Sequence, residues 1–225
     1  MHPLFHRPRL GLAAVLTLVT APAVLSDTAK EDLKVEFPKA QFVGTPVPVG
    51  GIKNLDTTGK PIKTLPVAKG TVLLSKDKEV TSSETAPSIG DLTLVTDSDK
   101  DGADGSFVEL GPGQQWVQID LGAPASISAI GLWHFHKQAR VYKDVVVEVS
   151  DDPEFKKSTI IFNNDDDNSL GKGAGKDPSY VETNHGRLIS GKDVKGRYVR
   201  AWSNGNHVDD LNHYVEIEVY GVPAK

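Results

Sequence analysis

The chain of 225 residues contains no cysteine and a single methionine, Met1. Disulfides, thiolate metal sites, cysteine nucleophiles and lipid attachment through cysteine are therefore excluded. A cationic excess is also missing: 25 Lys+Arg stand against 30 Asp+Glu, a net charge of -5. Phosphate backbones are held by clustered Lys and Arg, so no nucleic acid partner is expected. No apolar run approaches the roughly 20 residues that a spanning helix needs. Catalytic signatures are absent as well, with neither a G-x-S-x-G elbow nor an H-E-x-x-H pair in the sequence. Gly186–Lys192 imitates a phosphate-binding loop, but Asp193 stands where Ser or Thr is required, and an acid there repels phosphate. Carboxylates are abundant, yet spacing alone cannot pair them as glycosidase acid and base. A non-enzymatic protein is expected.

What is present begins with an export signal. Arg7 and Arg9 precede an apolar stretch of 11 residues, Leu10–Thr20, and small residues at Ala21, Ala23 and Ser26 offer cleavage points. Residues 1–26 are read as a cleaved signal peptide, which predicts a secreted or periplasmic protein with no membrane span after cleavage. Its removal leaves 23 cationic against 30 acidic side chains, a net charge of -7, and no sulfur. Residues 27–71 follow as an extended lead-in, punctuated by Pro38, Pro46, Pro48, Pro61 and Pro66 and broken at Gly50-Gly51. Proline fixes its own φ and lacks a donor, so this segment is expected to act as a loosely draped tether, with room for a short strand near Lys34–Phe37.

From residue 72 to 225 the pattern is β. Val117, Ile119 and Leu121 recur at every second position, as do Val145, Val147 and Val149, and then Val215, Ile217 and Val219. Period-2 alternation puts one set of side chains on a buried face. Thr71–Ser75, Ile127–Phe135, Thr159–Asn163 and Arg197–Ser203 add strand-like pieces. Short strands between Gly, Asn, Asp and Pro turns, with no convincing helix, predict an all-β sandwich. The stretch Asn164–Gly186 is long for a connection and is either a functional loop or a partly disordered insertion.

Five motifs occur in order. Trp116-Val117-Gln118-Ile119-Asp120-Leu121-Gly122 resembles the W-x-x-[IV]-D-[LF]-G strand of discoidin domains, also called coagulation factor V/VIII type C domains. Val147–Asp152, Arg197-Tyr198-Val199-Arg200 and Glu216–Gly221 resemble later strands of that family, and Val80–Ser83 its opening. The resemblance covers about residues 72–222 and implies an eight-stranded jelly-roll sandwich of the galactose-binding-like kind. The missing terminal disulfide and the Gly- and Asp-rich loop after Asn163 depart from the family pattern.

Asp97-Ser98-Asp99-Lys100-Asp101-Gly102 matches the opening of a calcium loop, whose alternating carboxylates offer oxygen ligands to a hard cation. An EF-hand would place Glu at position 108, which is Val108, so no EF-hand is expected. A solvated acidic turn would use the same residues. The resemblance implies a structural calcium held by Asp97, Asp99, Asp101 or Asp104, with Ser106 and with Glu216 of the closing strand. It also implies a sugar site built from His, Arg, Asn and aromatic residues, for which this chain offers Trp133, His136, Arg140, Tyr142, Asn204 and Asn206. Buried core aromatics and strand histidines are the bland alternative.

The function expected is that of an exported, non-catalytic module. It would bind carbohydrate, or another polar ligand of the cell envelope, through loops at one end of a calcium-stabilised sandwich. Two other uses stay open. One is docking to an exported protein partner. The other is metal handling by His134 and His136 with His207 or His213 as a third ligand.

Overall fold

A computed structural model gives the structure, which describes Met1, residues 29–41 and residues 49–224. The expected signal peptide, apart from Met1, lies outside the described residues. The strands in chain order are β1 (Lys30–Asp32), β2 (Pro66–Ala68), β3 (Val72–Leu73), β4 (Glu79–Ser82), β5 (Val108–Leu110), β6 (Gln114–Trp133), β7 (Val146–Ser150), β8 (Thr159–Asn163), β9 (Arg187–Asn204), β10 (Asn212–Tyr214) and β11 (Glu216–Pro223). A 3-10 turn, Leu92–Thr96, precedes the acidic loop and is capped by Asp91, whose Oδ1 accepts from the Thr93 amide at 2.9 Å. Among the described residues no helix is long and apolar enough to cross a membrane.

Two long strands build the sandwich by passing through both of its layers. The first half of β6 pairs with β4 and with the second half of β9, which continues to β7 and β8. The second half of β6 pairs with the first half of β9 and with β11, which carries β3 at its edge. The passage between layers is visible as a break in register between Asp120 and Ala125. Gly122 sits at that corner with φ +83°, a conformation that costs a side-chain-bearing residue about 1 kcal/mol or more. Opposite it, a Cβ on Gly196 would lie 2.4 Å from Val149 Cγ1, so only glycine lets β9 turn against β7. Val117, Ile119, Ile130, Leu132, Val147, Val199, Ile217 and Val219 from the two layers meet in one core. The all-β sandwich therefore stands. The strand expected to end at Gly122 and the one expected to begin at Ile127 are a single bent element. Gly186–Lys192, the phosphate-loop look-alike, runs into β9 as strand.

The lead-in is not a loose tether. β1 pairs antiparallel with β2, and Leu33, Val35, Phe37, Leu65 and Val67 pack on the outer face of the second layer against Ala129, Trp133, Leu188, Val215 and Tyr220. Further on, Leu55 bridges to Ser179, and the Asp56 amide donates to Ser179 O at 2.8 Å. The prolines do enforce extended backbone, but Leu33, Val35 and Phe37 alternate like a strand and bury that face. The cover explains why β11, amphipathic by sequence, is buried on both sides. The loop from Asn164 to Gly186 is packed as well, with Asp165 fully buried and its two carboxylate oxygens accepting from the Ser169 and Leu170 amides at 2.9 Å.

Candidate functional site

The corner at Gly122 turns β6 back on itself, so Gln114 and Trp133 lie at one end of the sandwich. The loops of that end contain almost every residue singled out by sequence. They assemble into two polar centres and leave several candidates elsewhere.

The first centre is the acidic loop. After the 3-10 turn the chain enters positive φ at Ser98, +74°, where Asp97 Oδ1 accepts the Asp99 amide at 2.7 Å and Asp99 Oδ1 accepts the Asp101 amide at 2.9 Å. Glu216, wholly buried at the start of β11, accepts the Ser98 amide on Oε2 at 3.0 Å. Its Oε1 has no partner, and neither has the Ser98 hydroxyl. Burial pushes the Glu216 carboxyl up to about 9, with Glu218 and Asp97 adding to the effect. A buried carboxylate oxygen without a partner beside an acidic turn is the kind of group a cation satisfies, but among the described residues Asp97, Asp99, Asp101 and Glu216 do not bring three carboxylate ligand atoms within 4.8 Å of one another. Asp104 does not fit: its side chain is 84% exposed and pairs with Lys137 at 2.9 Å. The Ser106 amide donates to Ala103 O at 2.9 Å. Lys100 turns inward, giving Glu218 a 2.7 Å ion pair, and lies over the Trp133 ring.

The second centre joins loops far apart in sequence. Arg140 Nη1 donates to Asp209 Oδ2 at 2.9 Å, and Asn206 Nδ2 donates to Asp209 Oδ1 at 2.6 Å. His213 Nδ1 lies 3.0 Å from the Tyr142 hydroxyl and 3.5 Å from Arg140 Nη1, while its Nε2 faces Glu109 Oε2 at 3.2 Å. Arginine only donates, so Nδ1 accepts and Nε2–H donates to Glu109, which defines a neutral ring. Arg140 covers the face of Phe135, which meets Phe107 edge-on. Asp209 and Glu109 stay partly open to solvent, with side chains 31% and 16% exposed. The result is an aromatic floor under two carboxylates, a guanidinium and an imidazole. These are groups that exchange hydrogen bonds with hydroxyls in either direction.

Of the expected ligand residues, Arg140, Tyr142 and Asn206 meet here. Asn204 does not: its amide donates to Asp144 Oδ2 at 2.8 Å on the side of the long loop. His136 lies beneath the acidic loop, its Nε2 bonded to Lys100 O at 2.8 Å. Trp133 is fully buried, donates Nε1–H to Asn184 O at 3.1 Å and lies under Phe37, so it presents no face to a ligand. Glu109, Asp209 and His213 complete the centre and were not singled out as sugar contacts. A cluster of three histidines does not form: His134 Nδ1 is paired with buried Glu182 at 2.6 Å. Among the described residues, the group of three ligand atoms within 4.8 Å of one another is Asp144, Asp165 and Asp167, with no histidine. Their oxygens are largely engaged by the Ser169 and Leu170 amides and the Ser169 hydroxyl.

No protein-family model matches the sequence, and no curated protein does. Among solved structures the fold recurs. A family 89 glycoside hydrolase from Clostridium perfringens, in complex with GlcNAc-alpha-1,4-galactose, matches 68% of this chain at 20% identity with a TM-score of 0.51. The match takes in only 15% of that enzyme's length. A chitosan-binding module from a chitosanase/glucanase of Paenibacillus sp. IK-5 matches 67% of this chain and 99% of its own, at 17% identity and a TM-score of 0.46. The lectin binding domain of Lectinolysin, complexed with Lewis b, matches 66% of this chain and 94% of its own, at 16% identity and a TM-score of 0.46. Identities this low establish a shared sandwich and leave the ligand open.

The second centre carries a pH signature. Burial, and then the Arg140 guanidinium, hold the His213 ring below its ordinary value. An unfolded histidine takes up its proton as pH falls through about 6.5, whereas the folded one resists. Stability present above that pH is therefore lost as pH falls below it. The Glu216 carboxyl, raised to about 9, works in the opposite sense in both proteins, so the expectation is on the difference: from pH 7.5 to 5.5 the Tm of the wild type is expected to fall relative to that of His213→Gln. An identical slope in the variant would contradict the neutral-ring assignment.

Proposed function

We propose that the chain is an exported, non-catalytic carbohydrate-binding module that reads hydroxyls with its loop end and carries a structural calcium beside it. The observation that carries this reading is the centre formed by Arg140, Asp209, His213 and Glu109 on the Phe135–Phe107 floor. A saccharide offers vicinal hydroxyls to the charged groups, which the buried Phe135 and Phe107 support from below. The shared fold is compatible with this role and does not by itself supply it. Calcium would be held by Glu216 and the Asp97–Asp101 turn, where it would supply the missing counter-charge and stiffen the loop that His136 props from below. Its role is structural: Glu216 is buried beneath the loop rather than offered to a ligand.

A shallow polar site trades water for ligand hydroxyls at little net gain, so affinity is expected to be modest and dependent on display density. A glycan array probed with the full mature chain tests this. Retention of at least one glycan class, weakened tenfold or more by Arg140→Ala, is expected. Uniform failure to retain glycans at high display density would reject the reading and favour the docking of an exported protein.

A further inference from the structure

The lead-in does more than cover a sheet. Where residues 49–62 cross the segment 180–187, they enclose a cleft of about 420 Å³ separate from both polar centres. Its size suits a mono- or disaccharide. Leu55, Pro61 and Ile62 form an apolar wall on the lead-in side, and Tyr180, His185 and Arg187 face it from the sandwich.

Arg187 is the unusual member. Its side chain is only 14% exposed and lies over the rings of Tyr180 and Phe162, at 5.1 and 5.8 Å, yet it makes no side-chain hydrogen bond to any described residue. Its single ionic neighbour, Asp56, stands at 3.8 Å. A paired guanidinium and carboxylate normally close to about 2.7–2.9 Å, so this pair is not engaged. Asp56 is held back because its Oδ1 accepts both the amide and the hydroxyl of Thr58, at 3.0 and 2.7 Å. The Tyr180 ring forms part of the same wall, under the guanidinium. Lys60 adds positive charge at the rim, leaving Asp56 as the lone acid among the lining residues.

A nearly buried guanidinium without a close acceptor, a net positive lining and an apolar wall together describe a ligand with one anionic group on a compact body. We infer that this cleft is a second binding site, for a sugar acid, with its carboxylate on Arg187. The Thr57 and Thr183 side chains line the cleft where ring hydroxyls would lie, and the pyranose C–H face rests on Leu55 and Pro61. A bare sulfate or phosphate would leave that wall wet. Asp56 competes with the ligand carboxylate for the guanidinium, so the site is tuned below its full affinity. Half of the lining comes from the lead-in, so the site exists only while that segment is docked.

The test is a titration of the full mature chain, labelled with nitrogen-15, with glucuronate and galacturonate against glucose, galactose, acetate and sulfate. Uronates are expected to bind in the millimolar range and to shift amides in 55–62 and 180–187, apart from those at 135–142 and 206–213. Arg187→Gln is expected to weaken uronate binding at least tenfold. Asp56→Asn, which keeps the side-chain size, is expected to tighten it several-fold. The second variant sustains the test if the first fails to fold. Equal affinity for neutral sugars, or for acetate or sulfate alone, would overturn the assignment. So would an absence of shifts at 20 mM uronate, or an unchanged affinity in Asp56→Asn.

Discussion

Adding calcium to the metal-free protein is expected to raise its Tm by about 5–10 °C. A ligand present at about 100 times its Kd adds about 2.7 kcal/mol to folding stability, and each kcal/mol moves a domain of this size by about 2–4 °C. The expectation rests on Glu216. Its Oε1 is buried without a partner and its carboxyl is pushed up to about 9, so without a cation the folded chain holds it as a neutral acid. Glu216→Gln replaces that acid with a neutral group of equal size. The variant should melt at or above the metal-free wild type and gain nothing from calcium. Asp104→Asn should keep the full gain, since Asp104 pairs with Lys137 outside the turn. An unchanged wild-type melt with calcium would remove the ion from the account and leave a hydrogen-bonded acidic turn.

The second large effect concerns the lead-in. Val67 is 2% exposed and packs with Leu33 against Ala129 and Tyr220. Val67→Asp would bury a charge with nothing to pair it, a cost that undocking the segment relieves. Undocking gives up apolar burial and recovers chain entropy, for a net loss of about 3 kcal/mol and a Tm lower by about 6–12 °C. It also bares Trp133, Leu188, Val215 and Tyr220 as one apolar patch, which should bind a hydrophobic dye. Hydrogen exchange should rise across residues 29–37 and 64–68 while β6 and β9 stay protected. A Tm within 1 °C of wild type, with unchanged exchange, would show that the segment contributes nothing to the fold.

Much of the sandwich was legible because single faces of strands carry single signals. Val147 and Val149, Ile217 and Val219, and Thr159–Asn163 all appear where their alternation or composition places them. The first half of β9 was hidden because Gly186, Gly191 and Lys192 resemble loop residues, although Leu188 and Ile189 belong to buried sheet. The lead-in was misjudged because its prolines outweighed the alternation of Leu33, Val35 and Phe37. That alternation became informative only once there was a sheet face to cover.

The site was legible in part. Arg140 and Tyr142 stand close to the end of β6, where side chains of their type invite attention. Glu109 and His213 are 104 residues apart and become neighbours only because β5 pairs with β10. Trp133 misled for a different reason. An aromatic at a strand end serves equally as platform or as core, and the docking of Phe37 decides for core.

The most direct measurement is a crystal of the mature chain soaked with whichever glycan the array retains best. A sugar is expected at the loop end with hydroxyls on Arg140, Asp209 or Glu109. No density at the loop end at saturating glycan would contradict it.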